Sequence, residues 1–190
     1  MSSNYKIFKI IAISLGGCIL IWLLYDFFIN YEKVNKDYVE ANNSFLKKNY
    51  TKAFYLYKKV SDIDPENLYA LEGQARCLYR MKKYNDSEKI FKLILEKEEN
   101  FLPALTNIAI LYDTRGKYDK ALIYYRKAIQ QDSRVANRMS WFKRFIKNIH
   151  FKPSTIKERL LYLEKELNLD KNKRKLKDIK IDQLQPDYQL

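Results

Sequence analysis

Side chains that commonly perform chemistry are scarce in this sequence. His150 is the only histidine, so neither a histidine-based catalytic triad nor a multi-histidine metal site can form. Cys18 and Cys77 are 59 positions apart, a separation that fits neither a zinc site nor a disulfide framework. The four glycines supply no glycine-rich phosphate loop. We therefore predict that the chain is not an enzyme and binds no metal, cofactor or small-molecule substrate.

The charged residues are better explained by solvation and partner choice. Acidic residues are scattered on helix faces, where Glu88 and Lys92 have the spacing of an ion pair along one helix. The chain as a whole is basic, with 36 Lys and Arg against 23 Asp and Glu and a formal charge of +13. This charge favours anionic lipid headgroups or acidic proteins as partners. Because no nucleic-acid-binding motif or aromatic platform accompanies it, we predict no nucleic-acid partner.

A 34-residue interval organises the middle of the chain. A small residue recurs at this interval, with a tyrosine three positions before it and an aromatic residue four positions after it. In chain order these residues are Tyr50, Ala53, Tyr57, Tyr84, Ser87, Phe91, Tyr118, Ala121 and Tyr125. A 34-residue period is typical of helix–turn–helix units that stack into a solenoid. The interval predicts three units, at about residues 34–64, 68–98 and 102–132.

The repeated pattern resembles the tetratricopeptide repeat. Pro65 closes the first unit, since proline cannot continue a helix, and Gly116 fits the turn between the two helices of the third unit. The resemblance implies an all-α fold in which helical hairpins form a right-handed superhelix over residues 34–132. The departures from the pattern are Ser44, Ser87 and Glu99.

The resemblance also implies a concave face, lined by the first helix of each unit, that binds other proteins. The residues expected on this face are Tyr38, Asn42, Phe45, Glu72, Arg76, Tyr79, Arg80, Thr106, Ile110 and Asp113. One subfamily binds the carboxylate tails of chaperones through a Lys/Asn/Arg clamp. Asn42 fits this clamp, but Tyr38, Gly73 and Pro103 stand where other clamp members are needed. We therefore do not expect a receptor for chaperone tails.

Residues from about 7 to 29 are almost all apolar. No charged residue lies between Lys9 and Asp26. About 20 residues in a helix span the hydrocarbon core of a bilayer, and this run is long enough. Trp22 and Tyr25 would lie near one end of the helix, as interfacial aromatic residues do. The sequence predicts a transmembrane anchor within residues 1–29, in a single-pass protein of the bacterial inner membrane.

Alternatives to this anchor come from the same segment. A cleaved signal would need a small-x-small site after the apolar run, and none is present. Residues 15–18 resemble a lipobox ending at Cys18, which leaves lipidation open, although the apolar run continues past this cysteine. Charge on the two flanks does not decide which side of the membrane the solenoid occupies. Because residues 30–48 lack proline and glycine, we expect the anchor to continue into the first repeat helix.

A basic segment follows the repeats. Residues 134–157 contain seven Lys and Arg and no acidic residue, with apolar residues at helical spacing. The pattern predicts a helix that caps the solenoid and also lies on an anionic membrane surface. The residues expected at that surface are Arg138, Trp141, Lys143, Arg144, Phe145 and Lys147.

A leucine-rich helix and a charged tail complete the chain. Thr155 and Glu158 form a capping-box pattern at the start of a helix over about 156–168. Its apolar face must be buried on the solenoid or on a partner. We assign residues 133–169 to capping and accessory helices. The charged tail, residues 170–190, is either disordered or ordered by a partner.

The pattern as a whole favours a membrane-anchored scaffold that mediates protein–protein interaction or assembly. Its partners would be proteins, including a membrane protein. Two alternatives stay open: a stoichiometric accessory subunit of a larger membrane complex, and a receptor for targeting peptides at an organelle surface.

Overall fold

The computed structural model describes residues 3–33, 36–137 and 155–177, and all regular elements in these ranges are helical, as predicted. The helices are α1 (Ser3–Lys33), α2 (Lys36–Leu46), α3 (Tyr50–Ile63), α4 (Leu68–Arg80), α5 (Tyr84–Lys97), α6 (Leu102–Thr114), α7 (Tyr118–Gln131) and α8 (Ile156–Leu167). Short 3-10 turns lie at Ser133–Ala136 and Lys171–Lys173.

Helices α2 to α7 form three hairpins that pack one after another. In each hairpin turn one residue has a left-handed backbone: Lys48 (φ 61°), Lys82 (φ 61°) and Gly116 (φ 71°). After Gly116, the backbone N–H of Lys117 donates to the carbonyl of Tyr112 at 2.8 Å. This is a Schellman ending, which satisfies carbonyls at the end of a helix. The predicted turn at Gly116 is confirmed, and two lysines adopt the same conformation without the freedom of glycine.

The repeated small and aromatic residues form the core between the helices. Ala53, Ser87 and Ala121 are fully buried, which lets the helices of each hairpin approach closely. Ser87 is tolerated in place of alanine because its hydroxyl donates to the carbonyl of Ala75 at 2.8 Å. The 34-residue interval therefore marks the contact surface inside each hairpin.

Helix α8 packs on α7 and the 3-10 turn that follows it. Its apolar face, with Ile156, Leu160 and Leu163, joins the main core cluster. The predicted capping box is confirmed: the N–H of Glu158 donates to Thr155 Oγ1 at 3.1 Å, and the N–H of Thr155 donates to Glu158 Oε2 at 2.9 Å. The leucine-rich face is thus buried on the solenoid.

Helix α1 contains the apolar run. Residues 6–26 have a mean hydropathy of 2.4, and none of this stretch is buried. By length and composition the helix is able to cross a membrane, and a signal sequence passes the same test. The expected continuation of α1 into α2 involves residues 34 and 35, which lie outside the described residues.

Candidate protein-binding site

The N-terminal part of the predicted concave face lies on α2. The hydroxyl of Tyr57 donates to Asn42 Oδ1 at 2.7 Å. The ring of Tyr38 meets that of Tyr57 edge to face, with 5.7 Å between centroids. Burial raises the pKa of both tyrosines above the usual range, so both hydroxyls stay protonated and able to donate at neutral pH. Tyr38 and Asn42 are half-buried and retain surface for a partner.

The middle of the face is organised by Arg76 on α4. Its guanidinium lies 4.5 Å from the centre of the Phe45 ring on α2, a cation–π contact. Its Nε donates to Glu72 Oε2 at 3.0 Å. The other oxygen of Glu72 accepts from Asn107 Nδ2 on α6 at 2.8 Å. These contacts join the first helices of all three repeats, and the Glu72 and Arg76 side chains are only 6% and 10% exposed.

The C-terminal part of the face is closed by an ion pair. Arg159 on α8 donates from Nε and Nη2 to the two carboxylate oxygens of Asp113, both at 2.7 Å. The hydroxyl of Tyr125 also donates to Asp113, at 3.1 Å. Arg159 is 1% exposed. A buried bidentate pair of this kind fixes geometry, so Asp113 links α6 to α8.

Sequence reasoning did not single out Arg159. The available signal was a lone arginine among the apolar positions Ile156, Leu160 and Leu163 of one amphipathic helix. A basic residue on a buried face requires an acidic partner, because an isolated buried charge is too costly. The sequence alone offered no way to choose Asp113, which lies 46 positions earlier.

The predicted face is therefore divided into accessible and buried residues. Glu72, Arg76, Thr106, Ile110 and Asp113 are all less than 10% exposed, as is Phe45. Tyr38, Asn42 and Tyr79 are half-buried, and Arg80 is exposed. The guanidinium of Arg80 lies 5.8 Å from the Tyr79 ring centre, and the Tyr79 hydroxyl shares a hydrogen bond with that of Thr114 at 2.9 Å. The predicted membrane-surface residues, from Arg138 to Lys147, lie outside the described residues.

Two family profiles for the tetratricopeptide repeat match this solenoid, one over residues 44–108 and one over residues 103–134. The chain carries tetratricopeptide repeats. Tetratricopeptide repeat protein 8 of Caenorhabditis elegans is 33% identical over 78 residues, which are 41% of this chain and 15% of that protein. The chain thus spans only a small part of the length of this curated relative.

Solved structures of tetratricopeptide repeats have the same fold. The first such domain of Spaghetti (RPAP3), bound to an HSP90 peptide, has a TM-score of 0.55 at 17% identity, covering 70% of this chain and 91% of that one. The domain of Sgt2 from Aspergillus fumigatus has a TM-score of 0.51 at 19% identity, covering 71% and 83%. At these identities the likeness concerns the tetratricopeptide fold alone.

Proposed function

We propose that this protein is a membrane-anchored scaffold whose tetratricopeptide repeats hold a protein partner at a membrane. Tetratricopeptide repeats are typically protein-interaction modules without enzymatic activity. The observation that carries the proposal is the accessible part of the concave face, where aromatic and polar side chains stand on rigid helices. The scaffold would bring proteins together and would catalyse no reaction itself.

The accessible part of the concave face has the chemistry of a protein-binding surface. Tyr38 and Tyr79 offer large, half-buried rings with hydroxyl groups, and Arg80 offers an exposed guanidinium beside a ring. Tyrosine and arginine are, together with tryptophan, the residues most enriched among energetically dominant interface contacts. Because Asn42 and Tyr79 are hydrogen-bonded to the solenoid, little side-chain entropy would be lost on binding.

The middle of the face argues against an acidic tail as the partner. The RPAP3 neighbour holds an acidic HSP90 peptide, but here the guanidinium of Arg76 is already committed to Glu72 and to the Phe45 ring. A carboxylate placed there would meet the negative charge of Glu72. This supports the expectation, made from Tyr38, Gly73 and Pro103, that the chain is not a chaperone-tail receptor.

Membrane anchoring is supported by the surface of α1. Every side chain from Lys6 to Asp26 is exposed, so this helix buries its apolar residues against no part of the described solenoid. A helix of this length finds a suitable environment in a bilayer. In the proposed arrangement the basic residues Arg138, Lys143, Arg144 and Lys147, with Trp141 and Phe145, contact anionic lipid beside the anchor.

A photo-crosslinking experiment in native membranes tests the scaffold. A photoreactive phenylalanine analogue replaces Tyr79 on the concave face in one variant and Tyr55, which is 68% exposed on α3, in a matched control. We expect a discrete protein adduct from position 79 and none of that size from position 55. We also expect Arg80→Glu to reduce the yield of the adduct at least fivefold.

The same experiment separates the proposed roles. A partner recovered in fixed ratio after mild-detergent purification would identify a stoichiometric subunit, whereas substoichiometric recovery would identify an assembly factor. Equal adducts at positions 79 and 55, or no adduct at either, would overturn the concave face as the binding site.

A further inference from the structure

The chain reverses direction after α8 and runs back along it. The backbone N–H of Lys175 donates to Glu166 Oε2 at 2.5 Å, and the hydroxyl of Tyr162 donates to the carbonyl of Lys175 at 2.5 Å. Nη2 of Arg159 then donates to the carbonyl of Leu176 at 3.1 Å. Glu166, Tyr162 and Arg159 lie on one face of the helix. The segment 174–177 is therefore an extended strap that follows α8 towards its N-terminus.

The strap ends at the concave face of the solenoid. Arg159, which holds the carbonyl of Leu176, is also paired with Asp113 on the concave side of α6. The side chain of Leu176 is partly buried against the core cluster that contains Ile110 and Leu160. The chain therefore lies beside the predicted binding surface at its last described residues.

The concave side of α6 is shielded from water. Thr106 and Ile110 are 0% and 5% exposed, although both occupy positions that face the groove in a tetratricopeptide solenoid. The hydroxyl of Thr106 makes no hydrogen bond with any described residue. A buried hydroxyl without a partner costs free energy, and a backbone N–H or C=O group from a segment in the groove would relieve that cost.

The sequence beyond the strap suits such a position. Residues 177–182 read Lys-Asp-Ile-Lys-Ile-Asp, in which Ile179 and Ile181 alternate with charged residues. In an extended segment this alternation places both isoleucines on one edge. Residues 178–190, fully extended, reach roughly 40 Å. Because packed helices are about 10 Å apart, this length is enough to cross α6 and reach α4.

We propose that residues 174–190 are an intramolecular ligand of the concave face. The tail continues from Leu176 across α6 towards α4, with Ile179 and Ile181 against the side of α6 that carries Ile110. The inference rests on the function proposed above in taking the concave face as a binding surface. A partner then either displaces the tail or binds the part that the tail leaves open, around Tyr38 and Arg80.

A peptide added in trans tests the proposal. The probe is a fluorescein-labelled synthetic peptide of residues 174–190, and its anisotropy is measured with the chain in detergent micelles. We expect the peptide to bind a chain that ends at Arg174 at least tenfold more tightly than the full chain, because the attached tail competes at high effective concentration. A control peptide with Ile179→Asp and Ile181→Asp is expected to bind neither.

A second variant guards against misfolding of the shortened chain. The full chain carrying Ile179→Asp and Ile181→Asp keeps the strap and is expected to bind the wild-type peptide more tightly than the unsubstituted full chain does. Equal binding of the peptide to the full and shortened chains, or binding to neither, would overturn the proposal. If the full chain formed a dimer that depended on the tail, the tail would be binding a second copy, and the proposal of an intramolecular ligand would be overturned. This experiment uses only the chain and its own peptide. A negative result would therefore overturn the role of the tail without deciding the outcome of the crosslinking test at Tyr79.

Discussion

Glu88 shows how a single side chain couples neighbouring repeats. The predicted pair with Lys92 is confirmed at 3.0 Å, but the same carboxylate also accepts from the hydroxyl of Tyr112 at 3.0 Å and from Arg115 Nη1 at 2.7 Å. Lys117 Nζ lies 3.5 Å away. Local spacing predicted the partner on the same helix. The three partners from the next hairpin depend on tertiary packing, which residue spacing does not encode.

The pKa of Glu88 follows from this surrounding. Burial alone would raise the pKa, but hydrogen bonds from Lys92 and Tyr112 and the charge of Lys117 outweigh burial and lower the pKa to about 2. Since the pKa is lower in the folded state, ionised Glu88 stabilises the fold above its ordinary pKa of 4.5. This stabilisation declines as the pH falls from about 4.5 and is lost near pH 2.

Replacing Glu88 by glutamine is therefore expected to destabilise the fold in a pH-dependent way. At pH 7 we expect a loss of about 2 kcal/mol in the free energy of unfolding, since hydrogen bonds to a charged group are lost. The difference from wild type should shrink between pH 4.5 and pH 2. Denaturant unfolding across this pH range measures the difference in the free energy of unfolding.

Glu99→Gln, which changes an exposed pair with Lys127, is the control and should cost less than about 1 kcal/mol. A pH-independent loss would contradict the explanation.

At the scale of helices, the periodicity of the sequence predicted well where the helices lie. It predicted poorly what each helix packs against. The units expected at about 34–64, 68–98 and 102–132 are found as helix pairs at 36–63, 68–97 and 102–131, and the helix expected at about 156–168 is found at Ile156–Leu167. These follow from turn residues and apolar spacing, which are local. The face of α8 was predicted without its partner, because an amphipathic pattern shows that a face is buried and not what covers it.

The contact between α3 and α4 depends on Gly73, where no side chain separates the helix from a tyrosine ring. A Cβ at this position would lie 2.6 Å from ring carbons of Tyr57, which is fully buried. Gly73→Ala is expected to lower the free energy of unfolding by about 1–3 kcal/mol, because the cost of overpacking exceeds the helix-propensity gain of alanine.

A double-mutant cycle supplies the control for this substitution. In a Tyr57→Leu background the ring is absent, so Gly73→Ala should cost little or should stabilise α4. Denaturant unfolding of the four chains measures the coupling. Additive effects of the two substitutions would show that the ring is not the obstacle.

At the scale of the whole molecule, the sequence predicted a helical solenoid with an apolar N-terminal helix, and the structure confirms both. The repeat pattern did not predict which residues of the expected concave face are buried. The repeat pattern predicts that Glu72, Arg76 and Asp113 lie on the concave face. It does not show that their side chains are engaged in contacts within the chain. Those contacts join residues up to 46 positions apart, and the contact of Asp113 depends on α8, which follows the repeats.

The anchoring role proposed for α1 leads to a prediction for the intact protein. Ile19→Lys with Leu23→Lys places two charges in the middle of the apolar run, at a cost of roughly 5–7 kcal/mol for insertion. We expect this variant to move from the alkaline-carbonate-resistant membrane pellet to the supernatant. Leu93→Lys with Ile123→Lys, on exposed solenoid positions, is the matched control and should stay in the pellet.

Intact mass measurement of the membrane-bound protein completes this test. Retention of residues 1–29 is expected for an anchor, whereas loss of the segment would identify a cleaved signal. If the variant with two lysines remained in the pellet, the apolar run of α1 would not be what anchors the protein.

Helix α8 also covers the C-terminal side of the described repeats. It occupies the place on α7 where the first helix of another repeat would pack, and the ion pair between Asp113 and Arg159 fastens it there. Its opposite side carries Leu161 as a lone exposed apolar residue beside the charged Glu164 and Lys165. Among the described residues, the outer side of α8 therefore offers no continuous apolar face on which a further helix pair would pack.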